Sequence, residues 1–281
     1  MPDPIEPALH LVSTPIGAAR DVTLKALDVL AGADVLAAED TRTLRRLMEI
    51  HGIALNGRPL LPYHDHNGPA QRPKLLAALA EGKSVAYASD AGTPLVADPG
   101  LQLARAVIEA GYEVRTAPGA SALLAALAVA GLPTDRFLFA GFPPPKAGAR
   151  RRFLEEIAAV PATLVFYESP RRLAAALADM AEILGGTRDA AICRELTKRF
   201  EEVRRGTLTD LARTTEDPPR GEIVLVIGPP EAKAADDKTV EDLLRSALET
   251  MRTRDAADAV ARQTGRPRKE IYKMALGLRD D

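Results

Sequence analysis

Ser84-Val-Ala-Tyr-Ala-Ser-Asp-Ala-Gly-Thr-Pro-Leu-Val-Ala-Asp-Pro-Gly100 is the stretch that decides the fold. Its first five residues read as a short buried strand. The next twelve hold two glycines, two prolines, two aspartates and a threonine hydroxyl, so backbone geometry shapes this loop. Such a loop presents amides and carbonyls to a flat or charged ligand at close range. A helix then runs over 100–110 and stops at Gly111. Strand, constrained loop and helix in that order form half of a βαβ unit, and the pattern extends in both directions.

Upstream, 8–14 reads as a strand and 22–31 as a helix with Asp21 as its N-cap. Residues 34–38 read as a strand, 41–51 as a helix closed by Gly52, 60–61 as a weak strand and 72–81 as a helix closed by Gly82. Downstream, 113–116 reads as a strand, and Ser121 opens an alanine-rich helix. This alternation predicts a mostly parallel sheet covered by helices. Beyond Gly131-Leu-Pro-Thr-Asp135 the style changes. Strands at 137–140, 162–167, 190–195, 202–206 and 222–227 are joined by only two helices, 149–159 and 171–184. Strands that follow one another directly imply antiparallel pairs. The expected organisation is an N-terminal α/β domain over 8–131, a mixed α/β domain over 132–228, a linker over 229–238 and a helical bundle over 239–278.

Composition narrows the function. Lys+Arg is 37 and Asp+Glu is 39, a net charge of -2, which excludes a uniformly basic nucleic-acid binder but not a local basic face. Residues 238–279 carry 10 basic and 6 acidic side chains, net +4, whereas 1–145 carry 12 basic and 15 acidic, net -3. Arg262-Gln-Thr-Gly-Arg-Pro-Arg-Lys269 joins two short helices through a glycine, as in a helix-turn-helix unit or an ordinary solvated hairpin. The single cysteine, Cys193, forms no internal disulfide and reads as packing in a buried strand; a reducing cytoplasmic setting fits. No apolar run reaches the roughly 20 residues of a membrane span.

The chemistry-bearing segments follow strand ends, where open α/β sheets bind ligands. Ser13-Thr-Pro15-Ile-Gly17 follows the first strand and is neither a P-loop nor a dinucleotide fingerprint. Glu39-Asp-Thr-Arg42 follows the second, with Asp40 or Thr41 equally readable as a helix cap. Pro118-Gly-Ala120-Ser121 allows close approach, with Ser121 also readable as a cap. Tyr167-Glu-Ser-Pro-Arg-Arg172 offers Glu168 as an acid or base and Arg171 and Arg172 as phosphate contacts. His64-Asp-His66 forms no convincing metal pattern, and no metal is expected.

The motifs VSTPIG (12–17), AAEDTR (37–42), SDAGTPLVADPG (89–100), PGASA (118–122), GLPTDRFLFAGFPPPK (131–146) and FYESPRR (166–172) occur together and in order. The chain thereby resembles the small-subunit ribosomal RNA methyltransferase I family, within the tetrapyrrole-methylase-like class of S-adenosylmethionine enzymes. One departure is Ala18-Ala19, where the family pattern has Asn and an apolar residue. The resemblance implies two α/β domains with S-adenosylmethionine in the cleft between them, a helix-turn-helix-like appendage and a homodimer. It implies 2'-O-methylation of a cytidine in 16S rRNA of the small ribosomal subunit, in the cytoplasm. By motif, Pro15, Asp90, Ala91, Gly92, Thr93 and Val96 would line the methionine side of the cofactor, and Ala120 and Ser121 the adenosine side. Glu39, Asp40 and Glu168 are the candidate proton acceptors. Arg42, Arg45, Arg171, Arg172, Arg266, Arg268 and Lys269 are the candidate RNA contacts. The alternatives are a tetrapyrrole C-methyltransferase of the precorrin or uroporphyrinogen type, which shares fold and cofactor, and a non-catalytic nucleic-acid binder.

Overall fold

Leu9–Val12 (β1) is the middle of the first sheet, pairing in parallel with Val85–Ala88 (β4) on one side and Val114–Ala117 (β5) on the other. Val35–Ala38 (β2) and Leu60–Pro62 (β3) complete the order β3-β2-β4-β1-β5, every pair parallel. Helices Leu24–Gly32 (α1) and Thr41–Ile50 (α2) cover one face through Leu30, Leu44 and Met48. Gly68–Ala80 (α3) and Leu101–Glu109 (α4) cover the other through Leu75, Leu79 and Leu103. Covering on both faces explains why β2 and β4 are buried at every residue. The computed structural model describes residues 5–64, 67–96, 100–215, 220–231 and 237–280. His66, the end of the constrained loop (97–99) and most of the expected linker (232–236) lie outside the described residues.

The second sheet runs β6-β7-β10-β8-β9, from Phe137–Phe139 (β6), Thr163–Glu168 (β7), Asp189–Arg194 (β8), Glu202–Thr207 (β9) and Ile223–Ile227 (β10). Only β6 and β7 pair in parallel; the three other pairs are antiparallel. The period of two along β10 sorts its side chains. Ile223, Leu225 and Ile227 face Ala147–Ile157 (α6), Leu173–Leu184 (α7) and Leu208–Arg213 (α8), while Val224 and Val226 face the opposite side. That opposite side is covered by Ala122–Ala130 (α5), which follows the last strand of the first sheet yet packs with Ala126, Leu127 and Ala130 on the second. Ile16, from the loop after β1, joins the same cluster.

Three local features differ from the sequence reading. Asp21 lies in a short 3-10 turn, and the cap of α1 is Thr23, whose hydroxyl accepts from Ala26 N at 3.2 Å. Helix α3 starts at Gly68 and accommodates Pro73, whose missing N–H falls opposite the exposed Pro69. Ser121 precedes α5 without a side-chain capping bond. Helix α8 is an element the apolar periodicity does not reveal.

The chain separates into two compact units, Met1–Pro229 and Pro230–Asp281. The second holds three helices, Asp237–Leu248 (α9), Thr253–Thr264 (α10) and Arg268–Asp280 (α11), around Val240, Leu244, Val260, Ile271 and Ala275. None of the described helices is long and apolar enough to cross a membrane.

Two stability predictions follow from burial. Phe166 is fully buried against Phe153, and Phe166→Ala should cost about 3–5 kcal/mol in urea unfolding of the first unit. His10 sits inside β1, and burial, with help from Lys25, lowers its pKa below the ordinary 6.5. The unfolded chain therefore binds the proton more readily, so this contribution is complete above pH 6.5 and is lost as the pH falls below it. A His10→Asn variant should show a flatter dependence of its denaturation midpoint on pH in that acid window.

Candidate active site

A cavity of about 380 Å³ opens where the loops after β1, β4 and β5 meet the ends of β7, β8 and β10. Three backbone approaches close it. Thr14 and Gly92 exchange hydrogen bonds, with Thr14 N to Gly92 O at 2.9 Å and Gly92 N to Thr14 O at 3.0 Å. Thr93 Oγ1 donates to Ala120 O at 3.0 Å, tying the loop after β4 to the loop after β5. Ala18 N donates to Thr197 Oγ1 at 3.1 Å, bringing the first loop onto a turn beyond β8. Gly17 is required there, because a Cβ would stand 2.5 Å from Thr197 Oγ1 and 2.8 Å from Leu196 O.

That turn is strained and pinned. Glu195 and Thr197 both hold positive φ, 50° and 63°, which is uncommon for these residue types. Glu195 Oε1 accepts from Lys198 Nζ at 2.9 Å and from Glu222 N at 3.0 Å, and these bonds lower its carboxyl pKa. Lys198 Nζ also reaches Glu222 Oε2 at 3.0 Å. Gly221 passes this cluster at φ +102°, where a Cβ would come within 2.4 Å of the Glu195 carboxyl.

The structure gathers most of the predicted cofactor residues. Ala91, Gly92, Thr93, Val96 and Ser121 line the cavity, as does Glu168. Pro15 and Ala120 stand beside lining residues without lining it themselves. Asp90 is turned away, its Oδ1 accepting from Asp40 N at 2.8 Å and so tying the end of β2 to this loop. Asp40 caps α2 through Arg42 N at 2.8 Å and pairs with the Arg42 guanidinium at 2.7 Å. The hydrogen bond from that guanidinium is the main reason its pKa falls to about 2. Glu39 is half-buried next to it, outside the cavity lining.

Glu168 is the last residue of β7, and its side chain is 1% exposed. Its Oε1 accepts from Ser169 N at 2.7 Å and pairs with Arg172 Nη2 at 2.6 Å. Its Oε2 is buried without a partner. Arg172 is thus directed inward, also donating to Ser169 Oγ at 3.1 Å, whereas Arg45 and Arg171 are exposed. Arg42 is exposed but paired with Asp40. In the C-terminal unit Arg266 pairs with Asp237 and Glu270, Arg268 pairs with Asp258, and Lys269 is exposed.

Sequence reasoning missed Phe142, Leu196 and the start of β10 as cavity walls. Phe142 is exposed and meets Tyr167 edge to face at 5.5 Å. Cys193 forms wall as well as core, and burial pushes its thiol pKa up to about 11. The FYESP motif carried a signal for Tyr167; nothing in the residue types signalled the turn at 195–198. Among the described residues no cluster of potential metal ligands occurs.

A parallel sheet joined to a mixed sheet, with a cavity walled by loops from both, defines a methylase of the tetrapyrrole type. The family described as Tetrapyrrole (Corrin/Porphyrin) Methylases matches residues 8–212, and the RsmI C-terminal HTH domain matches 234–279. A uroporphyrin-III C-methyltransferase from Thermus thermophilus, solved with S-adenosyl homocysteine, superposes with a TM-score of 0.53 at 21% identity, covering 78% of this chain and 96% of that one. Similarity is much higher to proteins named Ribosomal RNA small subunit methyltransferase I. That of Mesorhizobium japonicum is 52% identical over 99% of this chain and 94% of its own. That of Erythrobacter litoralis is 48% identical over 99% and 97%. The chain belongs to the ribosomal RNA small subunit methyltransferase I family.

The close passage of Gly221 by Glu195 gives a direct check on this turn. Gly221→Ala forces a side chain into the left-handed region and into Glu195, and should lower stability by about 1–3 kcal/mol. Urea unfolding of the variant beside the parent measures the difference.

Proposed function

We propose that the cavity binds S-adenosylmethionine and that this enzyme methylates the 2'-hydroxyl of a cytidine ribose in 16S rRNA of the small ribosomal subunit, in the cytoplasm. Near-full-length similarity to the named rRNA methyltransferases is the observation that carries this reading. The cavity fits the cofactor on its own terms. Its volume of about 380 Å³ is that of a small-molecule site, with apolar walls from Ile16, Val96 and Tyr167 and a few fixed polar groups. When bound, the cofactor supplies a methyl group already activated on a sulfonium.

The chain's residues then orient and deprotonate. Holding the acceptor oxygen in line with the methyl group removes much of the barrier. A ribose hydroxyl also needs a proton acceptor. Asp40 suits this poorly, because its oxygens are held by Arg42 and its pKa of about 2 makes it a weak base. We assign proton acceptance to Glu39 and give Asp40 the role of holding α2 and Arg42 in place. The exposed Arg45, Arg171 and Lys269 suit phosphate contacts, which position RNA without reading its sequence. Arg42 and Arg268 would contribute by exchanging their carboxylate partners for phosphate. Arg172 and Arg266, mostly buried in ion pairs, support the site and the bundle from within. A homodimer belongs to the same reading, and Leu101 and Ile108, exposed seven positions apart on α4, are apolar surface for it to cover.

The test is methyl transfer from radiolabelled S-adenosylmethionine to unmodified small subunits and to naked 16S rRNA, with nuclease mapping of the labelled ribose. Label on the 2'-oxygen of one cytidine is expected; label absent from both RNAs contradicts the reading. In the same assay Glu39→Gln should lower the single-turnover rate by about 10²–10⁴-fold, the range of general-base catalysis. Lys269→Ala should reduce the slope of log affinity against log salt by about 0.7–0.9, the loss of one phosphate contact.

A further inference from the structure

Phe142 lines the cavity and is 54% exposed, which places it at the mouth. Among the described lining residues it is the only large apolar side chain that is exposed. The backbone on either side of it is fixed. Gly141 O accepts from Tyr167 N at 3.0 Å, and the buried Pro143 offers its carbonyl to Arg172 Nη1 at 3.4 Å. The ring itself meets Tyr167 edge to face at 5.5 Å, and Tyr167 is packed in the same manner on Phe139 at 4.8 Å. The exposed part of a ring held in this way buries no surface and contributes nothing to the fold.

The reaction supplies a flat partner for it. A 2'-hydroxyl reaches a methyl donor inside a cavity only when its nucleotide leaves the stack. The base then loses its neighbours, and an exposed aromatic side chain replaces one of them. Arg171, also exposed, directly follows Pro170 of the cavity lining, so a cation for the adjoining phosphate comes with the ring. An aromatic platform beside a basic side chain is how proteins take single-stranded nucleic acid. The adenine of the cofactor fits the ring less well. A small-molecule site buries most of its ligand, and the buried apolar walls here are Ile16, Leu196 and Val224.

We propose that Phe142 stacks on the base of the nucleotide whose ribose is methylated and holds that nucleotide, out of its own stack, over the cavity. Phe142 is then a substrate-binding residue. Every base has a π-face, so this contact retains the acceptor without selecting its identity. The inference rests on the reading of the protein as an rRNA 2'-O-methyltransferase.

The experiment uses whichever acceptor, small subunits or naked 16S rRNA, takes up label in the assay above. Phe142→Ala and Phe142→Leu should each lower kcat/KM for that acceptor by about 5-fold or more, the loss of one base–aromatic stack. Both should bind S-adenosylhomocysteine as the parent does, by calorimetry. Phe142→Trp should restore transfer. The chain has no tryptophan, so the indole introduced by Phe142→Trp is a single reporter. With the parent protein as blank, its emission should be quenched when the acceptor is added to protein saturated with S-adenosylhomocysteine. A Phe142→Leu protein as active as the parent overturns the proposal, as does a Phe142→Trp protein as impaired as Phe142→Ala. So does indole emission that the acceptor leaves unchanged. A loss of S-adenosylhomocysteine affinity in Phe142→Ala that matches its loss of transfer overturns it in favour of a cofactor contact. A parent protein that binds S-adenosylhomocysteine but labels neither RNA overturns the rRNA methyltransferase reading itself, and the inference with it.

Discussion

The rest of the structure depends on how closely the loop after β1 approaches its neighbours. Thr14 and Gly92 pair backbone to backbone, Gly17 lies against Leu196 O and Thr197 Oγ1, and Ile16 enters the core shared by α5 and the second sheet. The loop after β1 thus joins the parallel sheet to the mixed one. The cavity is the space left between them.

This constraint also explains where strain resides. Positive φ at Glu195 and Thr197 is unfavourable for those residues and is held by the Glu195–Lys198–Glu222 cluster and by the passage of Gly221. Strain of this kind persists only where the surroundings overdetermine it, and here it lies at the rim of a ligand cavity. Glu168 is fixed at the same rim, its Oε1 accepting from Ser169 N and pairing with Arg172.

Much of the fold was legible in the sequence because strands buried on both faces and amphipathic helices leave different periods. The ten described strands lie where the sequence reading places them, and the three C-terminal helices follow their amphipathic stripes. Helix α8 escaped because it is six residues long; its signal was Thr207-Leu-Thr-Asp210, where the threonine hydroxyl accepts from Asp210 N. Thr23 was passed over for Asp21 because both are good caps and only the three-dimensional path of the turn distinguishes them. Of the candidate site, the constrained loop over 89–100 was legible from its glycines, prolines, aspartates and threonine. The walls at Leu196 and Ile223 were not, because contacts across more than a hundred residues leave no local pattern. Nor could spacing show that Arg172 is directed inward to Glu168 while Arg171 faces solvent.

The most informative measurement is a structure of this protein with S-adenosylhomocysteine bound. The nucleoside is expected in the cavity, against the loop over 91–96 and Tyr167. A ligand seated elsewhere would contradict that placement.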